Sequence, residues 1–249
     1  MDDWSETCDL FFELSNEDRL KILFHITQKP DNITTIAKSL ELSTQEVSRH
    51  ISRLIEQKIA KRDTKGNILI DGFGNIILSE LPYYGFFSKH REYFNNHPLL
   101  DIPREYISRM HELKDSIVVS DPMTVFQRIK LMCDQAEEYI YRLTDQRLNM
   151  IYENVQSAVD RGIEFRLIEP KNYKPSPGSK TNPRVSPSKT RTLDIIPVFL
   201  AFSDKEVAGV SFPLENGMFD YHGFSSKDVK AVKWCRDVYE YYWEKAEPF

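Results

Sequence analysis

The segment from Ile33 to Ile70 constrains the fold more strongly than any other part of the 249-residue chain. A short helical pattern, a tight turn, a longer helical pattern and two short β-patterns follow one another there, which predicts a winged helix-turn-helix. The longer helix opens with Ser43 and carries Glu46 three residues later, the spacing of a capping box. Its apolar residues recur with the helical period and predict the buried face, namely Val47, Ile51, Leu54 and Ile55. We therefore expect an α+β N-terminal domain centred on this helix.

The opposite face of the same helix carries small polar side chains and one arginine, which suits entry into a DNA major groove. A two-stranded wing is predicted from Ile59 to Asp63 and from Ile68 to Ile70, with its turn at Thr64-Lys65-Gly66-Asn67. Basic residues on the wing would meet the phosphate backbone. The candidate DNA-contacting residues are Thr44, Gln45, Ser48, Arg49, Ser52, Arg53, Lys61, Arg62 and Lys65.

Charge is sorted along the chain, although the whole chain has a net charge of −5. Between Lys38 and Lys65, seven basic residues stand against four acidic ones, a net charge of +3. Residues 1–37 hold three basic and eight acidic residues, a net charge of −5. A local positive patch is the electrostatic footprint of a DNA-binding surface, and the negative total argues against indiscriminate coating of nucleic acid. We expect double-stranded DNA as a partner through this one surface.

Composition also bears on location and cofactors. No apolar run approaches the roughly 20 residues that span a bilayer, and the acidic N-terminus lacks the pattern of a signal peptide. The three cysteines are Cys8, Cys133 and Cys235, which lie far apart without the paired spacing of a metal site. We expect a cytoplasmic protein that makes no membrane contact, and we expect neither a cofactor nor a metal site.

Three regions follow from the patterning. They are a DNA-binding domain at 1–72, a helical linker or dimerisation segment at 73–114, and an α/β regulatory domain at 115–249. Asn75 to His97 reads as a connecting helix that is either kinked at Pro82 or starts there, since proline is tolerated in a first helical turn. Its aromatic residues fit two roles equally well, a dimer interface or packing onto the second domain. These residues are Phe86, Phe87, Tyr93 and Phe94.

Strand and helix patterns alternate from Ile117 to Ile168, which predicts a largely parallel sheet. Three short strands and a last helix follow, the helix running from about Ser226 to Ala246 with Ser225 as its cap. An irregular stretch, Lys171 to Arg191, precedes these three strands, and no acidic residue lies among its basic ones. This stretch is either a solvated loop or an anion-binding lid for a small-molecule effector or for DNA phosphate. Its basic residues are Lys171, Lys174, Lys180, Arg184, Lys189 and Arg191.

Four segments resemble a known group of regulators, namely Glu92 to Leu113, Val159 to Pro170, Ile195 to Phe224 and Val232 to Pro248. With the N-terminal pattern, the chain resembles archaeal ArsR-like winged helix-turn-helix regulators that carry the C-terminal domain of the methanogenesis-regulatory protein family. The resemblance implies a cytoplasmic, homodimeric transcription factor with a C-terminal effector-sensing domain. The run RGIEFRLIEP also resembles phospholipase-D-like folds. The run ILIDGFG lacks the threonine that the family often carries after the wing.

The sequence argues against catalysis. A phospholipase-D-like enzyme needs a His-x-Lys pair, and none of the six histidines is followed by lysine two positions later. No Gly-rich phosphate loop, His-Glu-x-x-His helix or Gly-x-Ser-x-Gly turn occurs either. Two classes of function stay open, a DNA-binding transcriptional regulator and a winged-helix adaptor that binds a protein partner. An adaptor would expose a larger apolar patch on the predicted reading helix.

Overall fold

A computed structural model of the chain describes residues 3–99, 101–173 and 189–249. The chain divides into two units, Met1–Pro82 with one hydrophobic core and Tyr83–Phe249 with two. No helix in these described ranges is long and apolar enough to cross a membrane. The division at Pro82 falls inside the segment 73–114 that the sequence assigns to a linker.

The first unit is a helical domain with a two-stranded sheet. Its elements are α1 (Ser5–Leu14), α2 (Glu17–Gln28), α3 (Ile33–Leu40), α4 (Thr44–Glu56), β1 (Ala60–Arg62), β2 (Ile68–Ile70) and the first part of α5 (Gly72–Lys89). The order of helices α3 and α4 followed by two strands is the one that the sequence predicts.

Side-chain caps define where three of these helices begin. The Asn16 side chain accepts a hydrogen bond from the Arg19 amide at the start of α2, and Asn32 caps α3 in the same way. At α4 the predicted capping box between Ser43 and Glu46 is confirmed, with both of its reciprocal hydrogen bonds present. These caps satisfy amides that would otherwise lack partners, and each is worth about 1 kcal/mol.

The predicted buried face of α4 is confirmed. Val47, Ile51 and Leu54 are buried, and Ile55 is half-buried against the same core. They pack with Ile22, Leu23 and Ile26 of α2 and with Ile36 of α3. Each of these side chains contributes about 1.5–3 kcal/mol when it leaves water, so this core fixes the orientation of α4 and of its opposite face.

The two strands predicted for the wing form an antiparallel pair in which Lys61 lies opposite Leu69 and Arg62 opposite Ile68. Ile68 also pairs with Asp31, which joins the wing to the start of α3. The chain leaves the wing under a tight steric constraint. A Cβ atom on Gly74 would lie 2.0 Å from the Ile59 carbonyl oxygen, so glycine alone fits there.

The helix after the wing differs from the prediction at both ends. α5 begins at Gly72 instead of about Asn75 and ends at Lys89, and a separate helix α6 spans Arg91–Asn96. Pro82 lies inside α5, so the alternative in which a helix starts at this proline is wrong. A proline at this point removes one helical N–H donor and leaves the carbonyl four residues earlier without that bond.

The second unit places helices on both faces of one large sheet. Beyond α6 its helices are α7 (Arg104–Ser108), α8 (Pro122–Gln135), α9 (Tyr152–Asp160) and α10 (Val229–Lys245). Its strands are β3 (Ile117–Val119), β4 (Tyr139–Leu143), β5 (Glu164–Pro170), β6 (Thr190–Leu193), β7 (Phe199–Ser203), β8 (Val207–Ser211), β9 (Gly223–Ser226) and β10 (Glu247–Pro248). Short 3-10 turns occupy Met110–Leu113 and Asn149–Ile151.

The sheet is mixed, so the prediction of a largely parallel sheet is wrong. Its strand order is β10-β6-β5-β4-β7-β8-β9-β3, and only the β4–β5 and β5–β6 pairs are parallel. Strand β3 pairs antiparallel with β9 at the far edge instead of beside β4. β7 and β8 are joined by only three residues, which permits only an antiparallel pair. The α/β alternation therefore continues into an antiparallel half.

Alternate side chains of the central strands serve two separate cores. Ile140 of β4 packs under α8 and α9, whereas Tyr139 and Tyr141 pack under α10. The core under α10 also includes Phe86 and Tyr93, and Phe87 and Phe94 pack against it. Of the two roles that the sequence left open for these four aromatic residues, packing within the second unit is the one the structure shows.

The last helix has a different cap from the predicted one. Ser225 belongs to β9, where its hydroxyl donates a hydrogen bond to the Val207 carbonyl. Asp228 caps α10 by accepting a hydrogen bond from the Lys230 amide at 2.6 Å. The prediction failed because the pairing of β9 with β8 extends to Ser226 and delays the start of the helix.

Candidate nucleic-acid interface

The outward face of α4 is polar and exposed. The residues on it that the sequence predicts as DNA contacts are all exposed: Thr44, Gln45, Ser48, Arg49 and Ser52. The Ser52 hydroxyl donates a hydrogen bond to the Ser48 carbonyl at 3.0 Å, so it offers its lone pairs outward. This face presents short donors and acceptors with one long cation among them.

The start of this face is held by the capping box. The Glu46 carboxylate accepts a hydrogen bond from the Ser43 amide at 3.0 Å, and the Ser43 hydroxyl accepts one from the Glu46 amide at 3.2 Å. Hydrogen bonding from the Ser43 hydroxyl lowers the pKa of Glu46, so its charge persists beside the positive end of the helix dipole. Thr44 and Gln45 therefore leave the helix from a fixed first turn.

Two arginines four residues apart on α4 have different surroundings. Arg49 is exposed and has no hydrogen bond or ion pair among the described residues. Arg53 donates from Nε to the Glu13 carboxylate at 2.9 and 3.1 Å, and its Nη2 contacts the same carboxylate. Its guanidinium also lies over the Phe12 ring, 5.3 Å from the centroid. This contact joins α1 to α4, and a DNA contact by Arg53, whose side chain is 43% exposed, stays a prediction.

Glu13 is the buried centre of that contact. Its side chain is 5% exposed, and Arg19 approaches it from α2 with Nε 3.4 Å from the carboxylate. The hydrogen bond from Arg53 lowers the pKa of Glu13, although burial acts in the opposite direction. Two cations therefore share one buried carboxylate, and only Arg53 among them was a candidate for contact with DNA.

His50 is a buried residue of α4 that the sequence analysis missed. It is 6% exposed, and burial lowers its pKa. The signal was present, because His50 lies three residues after Val47 and four before Leu54, on the same helical stripe. A histidine there completes the inward face and makes no contribution to the reading face.

The tip of the wing is organised by Asp63. Its carboxylate accepts hydrogen bonds from the amides of Lys65 and Asn67, both at 2.8 Å, and from the Asn67 side chain. Hydrogen bonding from that side chain lowers the pKa of Asp63. Gly66 takes a φ of 86°, which a residue with a side chain rarely adopts. The turn therefore holds Lys65 outward at a fixed tip.

The wing cations do not form one group. Lys61, Arg62 and Lys65 are all exposed, but successive side chains of a strand leave on opposite faces. Lys61 and Arg62 therefore point apart, and the Lys61 ammonium lies 3.1 Å from the Asp71 carboxylate. Arg62 and Lys65 have no side-chain hydrogen bond or ion pair within the described ranges. An exposed ion pair such as Lys61–Asp71 is weak, so Lys61 can leave Asp71 to contact a ligand.

The basic stretch of the second unit is only partly described. Lys174, Lys180 and Arg184 lie outside the described residues. Lys171 pairs with Glu247 at 2.7 Å, and Lys189 pairs with Glu164 at the same distance. Arg191 donates to the Trp243 carbonyl and stacks on that ring, 4.5 Å from its centroid. The three described members therefore have intramolecular partners, and an anion-binding role for the whole stretch stays a prediction.

The similarity of this chain to two proteins of known structure is low. No protein-family model matches the sequence, and a search of curated proteins finds no match. TrmBL2, an archaeal chromatin protein described with a novel mode of DNA binding, aligns over 94% of this chain and 94% of its own with 17% identity and a TM-score of 0.43. CalO1, a methyltransferase of calicheamicin biosynthesis, aligns over 77% of this chain and 62% of its own with 7% identity and a TM-score of 0.24. Both TM-scores lie below 0.5, so neither likeness bears on the function.

Proposed function

We propose that this chain is a sequence-specific DNA-binding transcriptional regulator that acts in the cytoplasm. The observation that carries the proposal is the exposed polar face of α4, with its unpaired Arg49, followed in the same unit by the wing cations Arg62 and Lys65. In this reading α4 enters the major groove and the wing contacts phosphate. The resemblance to archaeal ArsR-like regulators with a methanogenesis-regulatory C-terminal domain points the same way.

Specific recognition follows from the sizes of the side chains on α4. Gln45 and Arg49 are long enough to form bidentate hydrogen bonds with base edges, Gln with adenine and Arg with guanine. Ser48 and Ser52 are short, so they let the helix backbone approach the groove floor. A face of bulky apolar residues would instead meet water or phosphate at the same positions.

We infer a homodimer on an inverted repeat with half-sites about 10–11 base pairs apart, centre to centre. One reading helix buries too little surface for the affinity of a specific operator complex. The sequence offers two candidate dimer interfaces, the connecting helix Asn75 to His97 and the first helix, Glu6 to Leu14. Phe86 and Tyr93 of the connecting helix are core residues of the second unit, so we favour the first helix. Phe11 and Phe12 on α1 are 50% and 60% exposed, and Trp4 just before it is 63% exposed.

The alternative, a winged-helix adaptor that binds protein, needs an apolar patch on α4 or the wing. Among the described residues of the first unit, the large exposed apolar side chains lie on α1, α2 and α5 or just before α1. They are Trp4, Phe11, Phe12, Phe24, Phe73 and Ile76. This distribution supports DNA as the ligand of α4, and it would put a protein contact on α1, α2 or α5 instead.

We assign the second unit to sensing of a small-molecule effector and not to catalysis. A phospholipase-D-like fold for this unit remains part of the proposal, and the chain carries no His-x-Lys pair that could hydrolyse a phosphodiester. Turnover of a phosphodiester by the purified protein would contradict this assignment.

Selection of bound duplexes from a random DNA pool tests the proposal. We expect the full chain to enrich one motif arranged as an inverted repeat, and sedimentation of the complex to give two chains per duplex. A pool that stays random after several rounds, with equal affinity for every duplex, would contradict sequence-specific recognition. A single chain per duplex at micromolar protein would contradict the dimer alone.

A further inference from the structure

The second unit contains an open cleft of about 500 Å³ that the proposed DNA-binding function does not use. His97, Asp220 and His222 line it, and one possible ligand atom from each lies within 4.8 Å of those of the other two. His97 follows α6, whereas the other two residues lie in the segment before β9. The fold therefore brings the imidazole of His97 next to Asp220 and His222, which lie more than 120 residues later in the sequence.

The ring of His97 is held in one orientation. Its side chain is 2% exposed and stacks on Tyr93 with centroids 4.0 Å apart. Nδ1 lies 2.8 Å from the Tyr93 carbonyl oxygen, and since a carbonyl can only accept, Nδ1 carries the hydrogen. In a neutral ring the lone pair is then on Nε2, which lies 3.2 Å from both carboxylate oxygens of Asp220. A lone pair and a carboxylate repel each other unless a proton or a metal ion lies between them.

The other two side chains are anchored through their backbone. The His222 amide donates to the Asp220 carboxylate at 2.9 Å, and the His222 carbonyl accepts from the Ser211 hydroxyl at 2.7 Å. That carbonyl also accepts from the Tyr93 hydroxyl at 3.0 Å, so Tyr93 supports both histidines. In protein metal sites, hydrogen-bond partners of this kind orient the residues that bind the metal.

The neighbouring glycine fixes the approach of this segment to the sheet. A Cβ atom on Gly223 would lie 1.8 Å from the Val210 carbonyl oxygen, so the backbone next to His222 runs directly against β8. The position of His222 is therefore set by packing as well as by hydrogen bonds.

We propose that His97, Asp220 and His222 bind a divalent transition-metal ion, with zinc as the reference case. The ligands would be Nε2 of His97, the carboxylate of Asp220 and a ring nitrogen of His222. Two imidazoles and one carboxylate are a common three-residue set for zinc, and the fourth position stays open for water or an exogenous ligand. Here that position faces the cleft, where Asn95, Asn96 and Glu215 supply further polar groups.

The distances are compatible with one ion. Two ligand atoms of a tetrahedral zinc, each about 2.0–2.1 Å from the metal, are about 3.4 Å apart. His97 and Asp220 already meet this spacing at 3.2 Å. The widest separation in the group is at most 4.8 Å, so a small rotation of the half-buried His222 ring closes it. The competing explanation is a charged His97 paired with Asp220, which gives the same 3.2 Å and requires nothing of His222.

Metal titration of the tag-free, chelator-stripped full chain tests the proposal without DNA. Cobalt(II) serves as the spectroscopic probe, because a four-coordinate N/O site gives visible absorption, and zinc competes it away. We compare Asp220→Asn and His222→Gln, both at positions that are not fully buried, with two controls. His111→Gln removes a histidine outside the cleft, and Cys8→Ser removes an exposed thiol that could bind metal adventitiously.

We expect one saturable ion per chain in the wild type and in both controls. Loss of a direct ligand should weaken binding by more than the roughly 10–100-fold that removal of an outer-shell partner costs. Absence of saturable binding overturns the proposal, and so does equal affinity in Asp220→Asn or His222→Gln. Retention by His222→Gln with loss in Asp220→Asn would limit the site to the His97–Asp220 pair and overturn the three-ligand assignment. Circular dichroism of each variant separates loss of binding from loss of fold.

Discussion

The two units of this chain use their basic side chains differently. In the first, Arg49, Arg62 and Lys65 are exposed and have no ion pair among the described residues, although Arg19 and Arg53 share the Glu13 carboxylate. In the second, two arginines lie between carboxylates: Arg109 between Glu112 and Asp237, and Arg166 between Glu164 and Glu240. An exposed cation without a partner is available to a ligand with its full charge, whereas a paired cation is neutralised by a carboxylate of the same chain. The contrast is consistent with the proposed role of Arg49, Arg62 and Lys65 in binding a ligand and with a structural role for the paired arginines.

The largest effect expected from this contrast is at Arg147 in the second unit. Its guanidinium forms a two-pronged pair with Glu169, whose side chain is 1% exposed. Arg147→Ala leaves a buried carboxylate without that partner, and we expect the free energy of unfolding to fall by about 3 kcal/mol. Urea titration followed by the fluorescence of the buried Trp234 measures the loss in this unit.

A double variant sharpens that result. Arg147→Met combined with Glu169→Leu removes both charges, and we expect most of the lost stability to return because no buried ion is left unpaired. A double variant as unstable as Arg147→Ala would show that the packing of the arginine stem, and not its charge, stabilises the unit.

Arg142 of the same unit is an exception to the pairing of arginines with carboxylates. Arg142 is 4% exposed, and its Nε and Nη2 atoms have no hydrogen-bond partner among the described residues. Burial lowers its pKa, and Asp145 and Glu169 act on it only through space. We expect Arg142→Met to raise the free energy of unfolding by about 2 kcal/mol, because an apolar chain of similar length avoids the desolvation of a charge. A loss of stability in the same urea titration would mean that an ordered water or anion pairs with Arg142.

Features that depend on residues close together in the sequence were predicted correctly, and features that depend on residues far apart were not. The capping box of α4, its buried stripe and the strand pair predicted for the wing depend on residues a few positions apart, and the structure contains all three. The role of Arg53 depends on Glu13, which is 40 residues away on another helix. Charge type and spacing on α4 cannot reveal such a partner.

The second unit was harder to predict for the same reason. Alternation of strands and helices indicated parallel pairing, but the position of β3 beside β9 is set by contacts that span more than 100 residues. The aromatic residues Phe86 and Tyr93 suited a dimer interface and packing onto the second domain equally well, because an apolar stripe does not reveal which surface it packs against. The cluster of His97, Asp220 and His222 leaves no local spacing signal, which is why no metal site is expected from the sequence.

Arg49 and Arg53 offer the most direct test of the binding surface, because they are matched residues on one helix. We expect Arg49→Ala to weaken cognate DNA binding by about 1–3 kcal/mol and to relax preference at one position of each half-site, with stability unchanged. Arg53→Ala should instead destabilise the first unit, because it removes a partner of the buried Glu13. Fluorescence anisotropy with cognate and shuffled duplexes, alongside urea unfolding, measures both.

The pH dependence distinguishes the two arginines further. The folded pKa of Glu13 is lowered, so its stabilising contribution is present above its unfolded value of about 4.3 and is lost as pH falls through the folded value. The stability difference between wild type and Arg53→Ala should therefore narrow below about pH 4. Two variants with the same DNA defect and the same stability would contradict the division of roles on α4.

The smallest expected effect is a change at the wing in how DNA affinity depends on salt concentration. Arg62→Ala should weaken cognate and shuffled DNA alike and flatten the plot of log affinity against log salt by about one unit per chain, because one phosphate contact is lost. Lys61→Ala is the matched control, since Lys61 leaves the opposite face of β1 and pairs with Asp71. We expect a weaker change in slope there. Equal changes in both variants would show that the wing contacts DNA through both faces, and a change in sequence preference with Arg62→Ala would assign that arginine to a base edge.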